Sequence, residues 1–256
     1  MQSPQRLYFP CTVAVWCLYI MTLMAAPASA QSFFRSGSTG ADGAFSPAKD
    51  VIIDMNTKPN GIWHYTTINI PAGVTVTFKP NAANTPVIWL ASGEVIIAGV
   101  INLDGANGGR NNDPGNEARG GPGGFRGGRG NREGEFVNPL TAATPGDGPG
   151  GGLPGSSSNA CGGGGGYATV GGGDEVGGPA YGDILLRSLF VGGSGGGGGA
   201  AGPSGRGFNG GGGGGAILIA SSSTIRFTNA NGGIGANGGT GFDPTCCPGN
   251  GGGGSG

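Results

Sequence analysis

Short apolar runs alternate with turn residues between positions 51 and 103. Each run has four or five residues rich in Val, Ile and Thr. Runs of this kind, bounded by Gly, Pro, Asn or Ser, predict β-strands. Only DILLRSLF (183–190) is a candidate for a turn or two of helix, because no stretch keeps a helical period. The predicted strands are VIID (51–54), TTINI (66–70), VTVTF (74–78), VIWL (87–90), EVII (94–97) and VINL (100–103).

The strand pattern recurs near the end of the chain. VIWLASGEVIIAGVINLDGANGG (87–109) and AILIASSSTIRFTNANGGIGANGG (216–239) share one order: an apolar strand, Ala-Ser, a turn, a second strand and GANGG. Short strands of this kind stack about 4.8 Å apart and build a core that one copy alone could not bury. The sequence therefore predicts an all-β fold, a parallel β-helix or solenoid, with isoleucines such as Ile96 and Ile217 pointing inward.

Three runs of nearly pure glycine, at 162–166, 195–199 and 210–215, require a separate explanation. A flexible linker normally carries Ser or charge as well. Glycine loses the most backbone entropy on ordering, so close packing with lateral hydrogen bonds would be needed to offset that loss. We expect packed polyglycine-II-like or extended segments, and the alternative is disordered spacers.

The first thirty residues have the organisation of a signal peptide. Arg6 supplies a positive charge, CTVAVWCLYIMTLMAA (11–26) an apolar segment, and APASA a cleavage site after Ala30. An uncleaved anchor is the alternative, but the apolar segment is short for a bilayer, which needs about 20 residues. We therefore expect a secreted or cell-surface protein with no transmembrane segment after cleavage.

The distribution of glycine divides the chain. Only seven of the 64 glycines precede residue 105. The predicted organisation is a signal peptide (1–30), an N-terminal cap with the first solenoid rungs (31–104), a glycine-rich insertion (105–215), and a further rung with a glycine-rich end (216–256). Since a glycine run elsewhere leads into another strand, we expect the chain, which stops at GNGGGGSG, to be cut in mid-repeat.

The low charge argues against nucleic acid as a partner. The net charge is -1 and 11% of residues are charged. RGGPGGFRGGRG (119–130) does look like a segment in which arginines and Phe125 stack on bases. Acidic residues flank it, however, and the chain has a secretion signal, so a solvated polar loop is predicted. The residues concerned are Arg119, Arg126 and Arg129, flanked by Asp113, Glu117, Glu133 and Glu135.

Cysteine and carboxylate patterns give weak candidates for a disulfide and a metal site. Cys161 is expected to pair with Cys246 or Cys247, because adjacent cysteines lie too close for an ordinary disulfide. GGTGFDPTC (238–246) nearly matches a calcium-binding nonapeptide, with Asp243 as the carboxylate. Thr245 stands where a large apolar residue is needed, and the motif occurs once. No metal and no cofactor are therefore predicted.

No catalytic motif emerges. Asp54, Glu94 and Asp104 are single carboxylates at turns, whereas β-helix lyases and hydrolases cluster carboxylates, often with Arg or Lys, on one face of the solenoid. His64, the only histidine, lies between Trp63 and Tyr65, where a packed residue is the more common interpretation. We predict that the protein is not an enzyme.

The quoted strand–turn–strand segments, with IPAGVTVTF (70–78), resemble glycine-rich secreted proteins of myxobacteria and other environmental bacteria. The resemblance covers residues 45–256 and implies a right-handed parallel β-helix and a surface or secreted location, with no catalytic residues. A weaker, compositional similarity links the glycine runs to phage tail-fibre adhesins built on polyglycine-II helices.

The predicted function is a secreted or cell-surface structural or adhesive protein, whose partners would be extracellular polysaccharide or cell-surface components. The alternative is a β-helix module that binds glycan or ice, and a polysaccharide-degrading enzyme is a third. Trp63, Tyr65 and Trp89 are the candidate glycan-binding rings, although core packing explains Trp89 equally well. TTI (66–68) and TVTF (75–78) are the only hints of an ice-binding threonine ladder.

Overall fold

The computed structural model describes residues 34–109, 117–132, 143–157, 159–173, 175–182, 190–202, 205–241 and 253–256. Nearly all regular structure within these ranges is β-strand, with one short 3₁₀ turn at Met55–Thr57. The strands are β1 (Gly43–Phe45), β2 (Val51–Asp54), β3 (Ile62–Ile70), β4 (Thr75–Lys79), β5 (Val87–Ala91), β6 (Val95–Ile97), β7 (Val100–Asn102), β8 (Ile217–Ser221), β9 (Ile225–Phe227) and β10 (Gly233–Gly235).

Two parallel sheets hold these strands. A six-stranded sheet has the order β8-β5-β3-β6-β9, with β1 also on β3, and a four-stranded sheet has the order β10-β7-β4-β2. The nine-residue strand β3 organises the larger sheet. β1 pairs with its residues Tyr65 and Ile68, and those same residues also pair with Ala91 of β5 and Val95 of β6. β5 and β6 therefore lie one after the other along the edge of β3 that β1 leaves open.

The prediction of a right-handed parallel β-helix solenoid is wrong. The strands form two parallel sheets of six and four strands, one of them curled into a half-barrel. A solenoid needs inward apolar side chains in every turn, and glycine has none to offer. After β7 the chain accordingly leaves the sheets, and the described residues between β7 and β8 extend neither sheet.

The core lies between the sheets, and its buried strand residues come from alternate positions of β3 to β7. Its largest fully buried side chain is Trp89, which lies 5.8 Å, ring to ring, from both Tyr65 and Phe78. In β6 the buried residues are Val95 and Ile97. Ile96 was expected to point inward and instead lies on the opposite, outer face. Ile217 packs against the core, as expected.

The two repeated segments pair with each other as parallel strands. β8 aligns with β5 from Val87↔Ile217 to Ala91↔Ser221, β9 aligns with β6, and β10 aligns with β7. The expected side-by-side arrangement of the repeats is thus present. The closing GANGG segments are not level, because Gly105 donates its N–H to the carbonyl of Asn237 at 2.9 Å. The turn between β9 and β10 is three residues longer than that between β6 and β7, so only the end of the second copy is shifted, by three residues.

The glycine runs pack laterally in what we call the glycine-rich body, the described residues of 105–215 together with 237–241 and 253–256. Gly196 donates to the carbonyl of Gly211 at 2.9 Å, and Gly197 to that of Gly163 at 2.8 Å, so that all three runs are joined. At most of these glycines an added Cβ would collide with a neighbouring backbone. The runs are therefore close-packed segments held by main-chain hydrogen bonds.

The segment 119–130 belongs to this body and is not the solvated loop that we expected. Gly121 donates to the carbonyl of Gly213 at 2.9 Å, and Gly128 to that of Gly196 at 2.7 Å. Most of its glycines are buried, whereas Arg119 and Arg126 are exposed. The backbone is fixed, and the two guanidinium groups project from a rigid support.

Candidate binding cleft

A cleft of about 510 Å³ lies where the strands meet the glycine-rich body. The 3₁₀ turn and the residues after β4 form one wall, and the segment 119–130 with its arginines forms the other. The lining residues are Asn56, Lys79, Pro80, Asn81, Ala82, Asn84, Arg119, Gly120, Gly124, Phe125, Arg126 and Asp147. Seven of these twelve lining residues have polar or charged side chains, although more of the exposed lining area is apolar, and Phe125 contributes an aromatic ring.

One asparagine amide joins the two walls, and a second is used within one wall. The Asn84 side chain donates to the carbonyl of Gly124 at 2.5 Å and accepts from the N–H of Gly123 at 3.2 Å. Asn81 is 7% exposed, and its amide donates to the carbonyl of Pro59 and accepts from the N–H of Thr85. Because these amides are already occupied by the protein, they shape the cleft and leave ligand recognition to other groups.

The side chains that remain available to bind a ligand in the cleft are positively charged. Lys79 is held by Asp54, with its Nζ 2.9 Å from Oδ2. Neither Arg119 nor Arg126 forms an ion pair or side-chain hydrogen bond with another residue that the structure describes. Two exposed guanidinium groups therefore face this cleft with their donors free of described partners.

One carboxylate is present among the residues that line the cleft. Partial burial raises the pKa of Asp147; the Arg126 charge opposes this rise and the Glu117 charge adds to it. The Asp147 backbone N–H donates to the carbonyl of Arg126 at 2.9 Å, so the two residues are neighbours across adjacent segments. Asp147 thus moderates the positive charge of Arg126 without pairing with it.

The Lys79–Asp54 pair gives a testable pH dependence. Lys79, the backbone N–H of Asn56 and the Asn56 side chain lower the pKa of Asp54 from 3.8 to about 2. Because the pKa is lower in the folded state, the contribution of this pair is complete above pH 3.8 and is lost as the pH falls through 2. In the variant Lys79→Gln, the pKa of Asp54, measured by NMR titration, should rise toward 3.8.

The matched control for that titration is Lys49→Gln, since Lys49 has no ion pair with any described residue. It should leave the pKa of Asp54 at about 2. An unchanged Asp54 pKa in Lys79→Gln would contradict the assignment of the shift to Lys79.

A second cleft, of about 370 Å³, shares Pro80, Arg119 and Gly120 with the first. Its own carboxylate, Asp104, accepts hydrogen bonds from the N–H and the side-chain amide of Asn237, at 2.7 and 3.0 Å. The two clefts therefore lie on either side of Arg119, which can reach a ligand in each.

The structure places the predicted glycan-binding rings in the core. Trp63 and Tyr65 are each 5% exposed, and the Tyr65 ring lies 5.2 Å from that of Phe45. Between them, His64 accepts a hydrogen bond from the N–H of Thr39 at its Nδ1, 3.3 Å away. All three residues belong to the packing of β3 and none lines the cleft.

Most of the residues predicted for a disulfide or a metal site lie outside the described residues. Cys161 is half-buried, and Cys246 and Cys247 lie outside the described residues, so the disulfide stays a prediction. Asp243 and Asp113 also lie outside them. Across the described ranges, no three His, Cys, Asp or Glu side chains come together in a way that could hold a metal ion.

The threonines do not form a ladder. Thr75 and Thr77 of β4 lie beside Val100 and Asn102 of β7, and Thr77 also lies beside Ile52 of β2. Neighbouring strands therefore place no second row of threonines next to the first.

Sequence reasoning missed the cleft although it singled out Arg119, Phe125 and Arg126.

None of the described segments forms a helix long and apolar enough to cross a bilayer. Comparisons with protein-family models, with curated proteins and with solved structures found no match for this chain.

Proposed function

We propose that this chain is an extracellular structural or adhesive protein that holds an acidic polysaccharide in the cleft between its strands and its glycine-rich body. The observation that carries the proposal is the pair of exposed guanidinium groups, Arg119 and Arg126, on one wall of this cleft. The extracellular location rests on the leader at 1–30, which lies outside the described residues.

Anionic sugars fit the chemistry of this cleft better than neutral ones. The available donors are cationic, and a guanidinium group binds a carboxylate or sulfate through two parallel hydrogen bonds. The amides of Asn81 and Asn84, which would otherwise recognise neutral hydroxyl groups, are used within the protein. The Phe125 ring adds an apolar surface against which the face of a sugar can pack.

Binding without cleavage is the better proposal for the same cleft. Hydrolysis of a glycosidic bond ordinarily uses two carboxyl groups on opposite sides of the bond. Asp147 is the only carboxylate among the residues found to line this cleft. A structural role is supported by the glycine-rich body, whose main-chain hydrogen bonds hold the arginines without a mobile linker.

Removing both arginines should abolish most of the binding. We expect the double variant Arg119→Ala/Arg126→Ala to bind a polyuronate such as alginate at least about tenfold more weakly, since a hydrogen bond to a charged group contributes about 1.5–3 kcal/mol. Isothermal titration calorimetry at two salt concentrations measures this, and wild-type affinity should fall as salt rises.

Arg226→Ala is the matched control, because Arg226 lies outside the cleft and is paired with Glu94 at 3.2 Å. It should bind alginate as the wild type does. Dextran, which is neutral, should not bind. Equal affinity for alginate and dextran, or equal losses in the double variant and in Arg226→Ala, would contradict the proposal.

A further inference from the structure

The core is open at one end of the sheets. Val95 and Ile97 of β6 are fully buried, at 0% exposure, and the adjacent positions on β9, Ile225 and Phe227, are 41% and 55% exposed. Residues at the same register position of adjacent parallel strands point to the same face. Ile225 and Phe227 thus continue two core-facing columns, but no strand formed by the described residues covers them.

The smaller sheet ends in the same way. Ile101 of β7 is 0% exposed, whereas its neighbour on β10, Ile234, is 41% exposed. β8, β9 and β10 pair with β5, β6 and β7, three strands that follow one another along the chain, and each is the last strand of its sheet at that side. We call these three strands the open end.

The opposite end of the core is closed. Met55, in the turn after β2, is 0% exposed. Phe45 of β1 packs its ring 5.2 Å from Tyr65 and 5.4 Å from Trp89. The chain therefore seals one end of its core with side chains of its own and leaves the other end uncovered.

The open end is almost uncharged. Arg226 is the one charged residue in β8, β9 and β10. Its Nη1 lies 3.2 Å from Oε1 of Glu94, the residue before β6, and this ion pair neutralises its charge. Soluble proteins usually protect an exposed edge strand with Lys, Pro or a bulge. β8, with the sequence ILIAS, has none of these protections, and its Leu218 is 42% exposed.

We propose that the open end is an interface, and that its occupant is the open end of a second copy of this chain. The closed end of another copy presents a sealed core and does not match it. Two open ends match because both are apolar and their arginines are neutralised internally, so no like charges meet. A surface that binds its own copy about a twofold axis closes at two molecules.

The oligomeric state tests this assignment. Analytical ultracentrifugation of the full chain across a concentration series should show a monomer–dimer equilibrium with no larger species. Phe227→Lys places a charge in the interface and should raise the dissociation constant at least about tenfold. Ile52→Lys, at a 72% exposed residue of β2, is the control at the opposite end and should leave the constant unchanged.

Two further measurements keep the test decisive. If Phe227→Lys does not fold, Leu218→Lys at the edge of β8 replaces it, and hydrogen exchange of β8–β10 amides should slow with rising protein concentration. A wild type that is monomeric throughout would overturn the proposal. Open-ended polymers would also overturn it, as would equal effects of the open-end variant and Ile52→Lys. Either monomers or polymers would indicate that something other than a second open end occupies this surface.

Discussion

Replacing Ile97 by Asp is expected to unfold the protein, whereas the same change at Ile96 is expected to be tolerated. Ile97 is 0% exposed among apolar neighbours, so its aspartate would be buried without a partner. That burial and the lost apolar contacts cost about 4 kcal/mol or more, which is comparable to the whole stability of many domains. Ile96 lies on the other face of the strand, beside Asn69 and Arg226 of the adjacent strands. There, an aspartate meets water and a positive charge.

Urea unfolding followed by circular dichroism measures both variants under one set of conditions. We expect Ile96→Asp to lie within about 1 kcal/mol of the wild type, as surface changes usually do. Equal destabilisation by the two variants would show that the faces of β6 have been assigned incorrectly.

The second large effect is expected from a single added methyl group, in Gly213→Ala. Gly213 is buried, donates to the carbonyl of Phe125 at 2.8 Å, and accepts from the N–H of Gly121 at 2.9 Å. An alanine Cβ would collide with the carbonyl group of Gly193, a backbone atom that cannot rotate away. Forcing a side chain into such a site should destabilise the protein by about 3 kcal/mol.

Gly172→Ala is the matched substitution in the same glycine-rich body. Its Cβ would have no atom within 4 Å, and the residue is exposed. It should therefore leave the free energy of unfolding unchanged or raise it slightly, because alanine restricts the unfolded chain. If both alanines behave alike in thermal unfolding, the glycine runs are not close-packed.

The sequence predicted most strands but not the faces that they bury. Runs such as VTVTF and VIWL are apolar and β-branched enough to be recognised without any partner. In VII (95–97) all three residues are apolar, so alternation could not show that Ile96 points outward. β1 (GAF) and β10 (GIG) were missed because glycine carries no strand propensity, and β3 begins earlier than expected, at Ile62, because its neighbours pair with it.

The cleft was beyond sequence reasoning for a different reason. Locally, 119–130 has the composition of a solvated loop, and its rigidity comes from Gly193, Gly196 and Gly213 far along the chain. Asn84, which joins the two walls, lies 40 residues before its partner Gly124. Contacts of this range depend on how backbones pack, and a glycine run gives no side-chain pattern from which that packing could be predicted.

The glycine-rich body also affects how the protein responds to temperature. Unfolding of the strands exposes apolar side chains, which raises the heat capacity, whereas unfolding of the body exposes mainly peptide groups, whose hydration lowers it. The heat-capacity change of the whole chain should therefore fall below the usual value of about 12–15 cal/mol/K per residue. A small heat-capacity change flattens the curve of stability against temperature, so the fold resists both cooling and warming over a wide range. For the extracellular role proposed above, main-chain packing of glycine would thus provide a tolerance of temperature change that a larger apolar core would not.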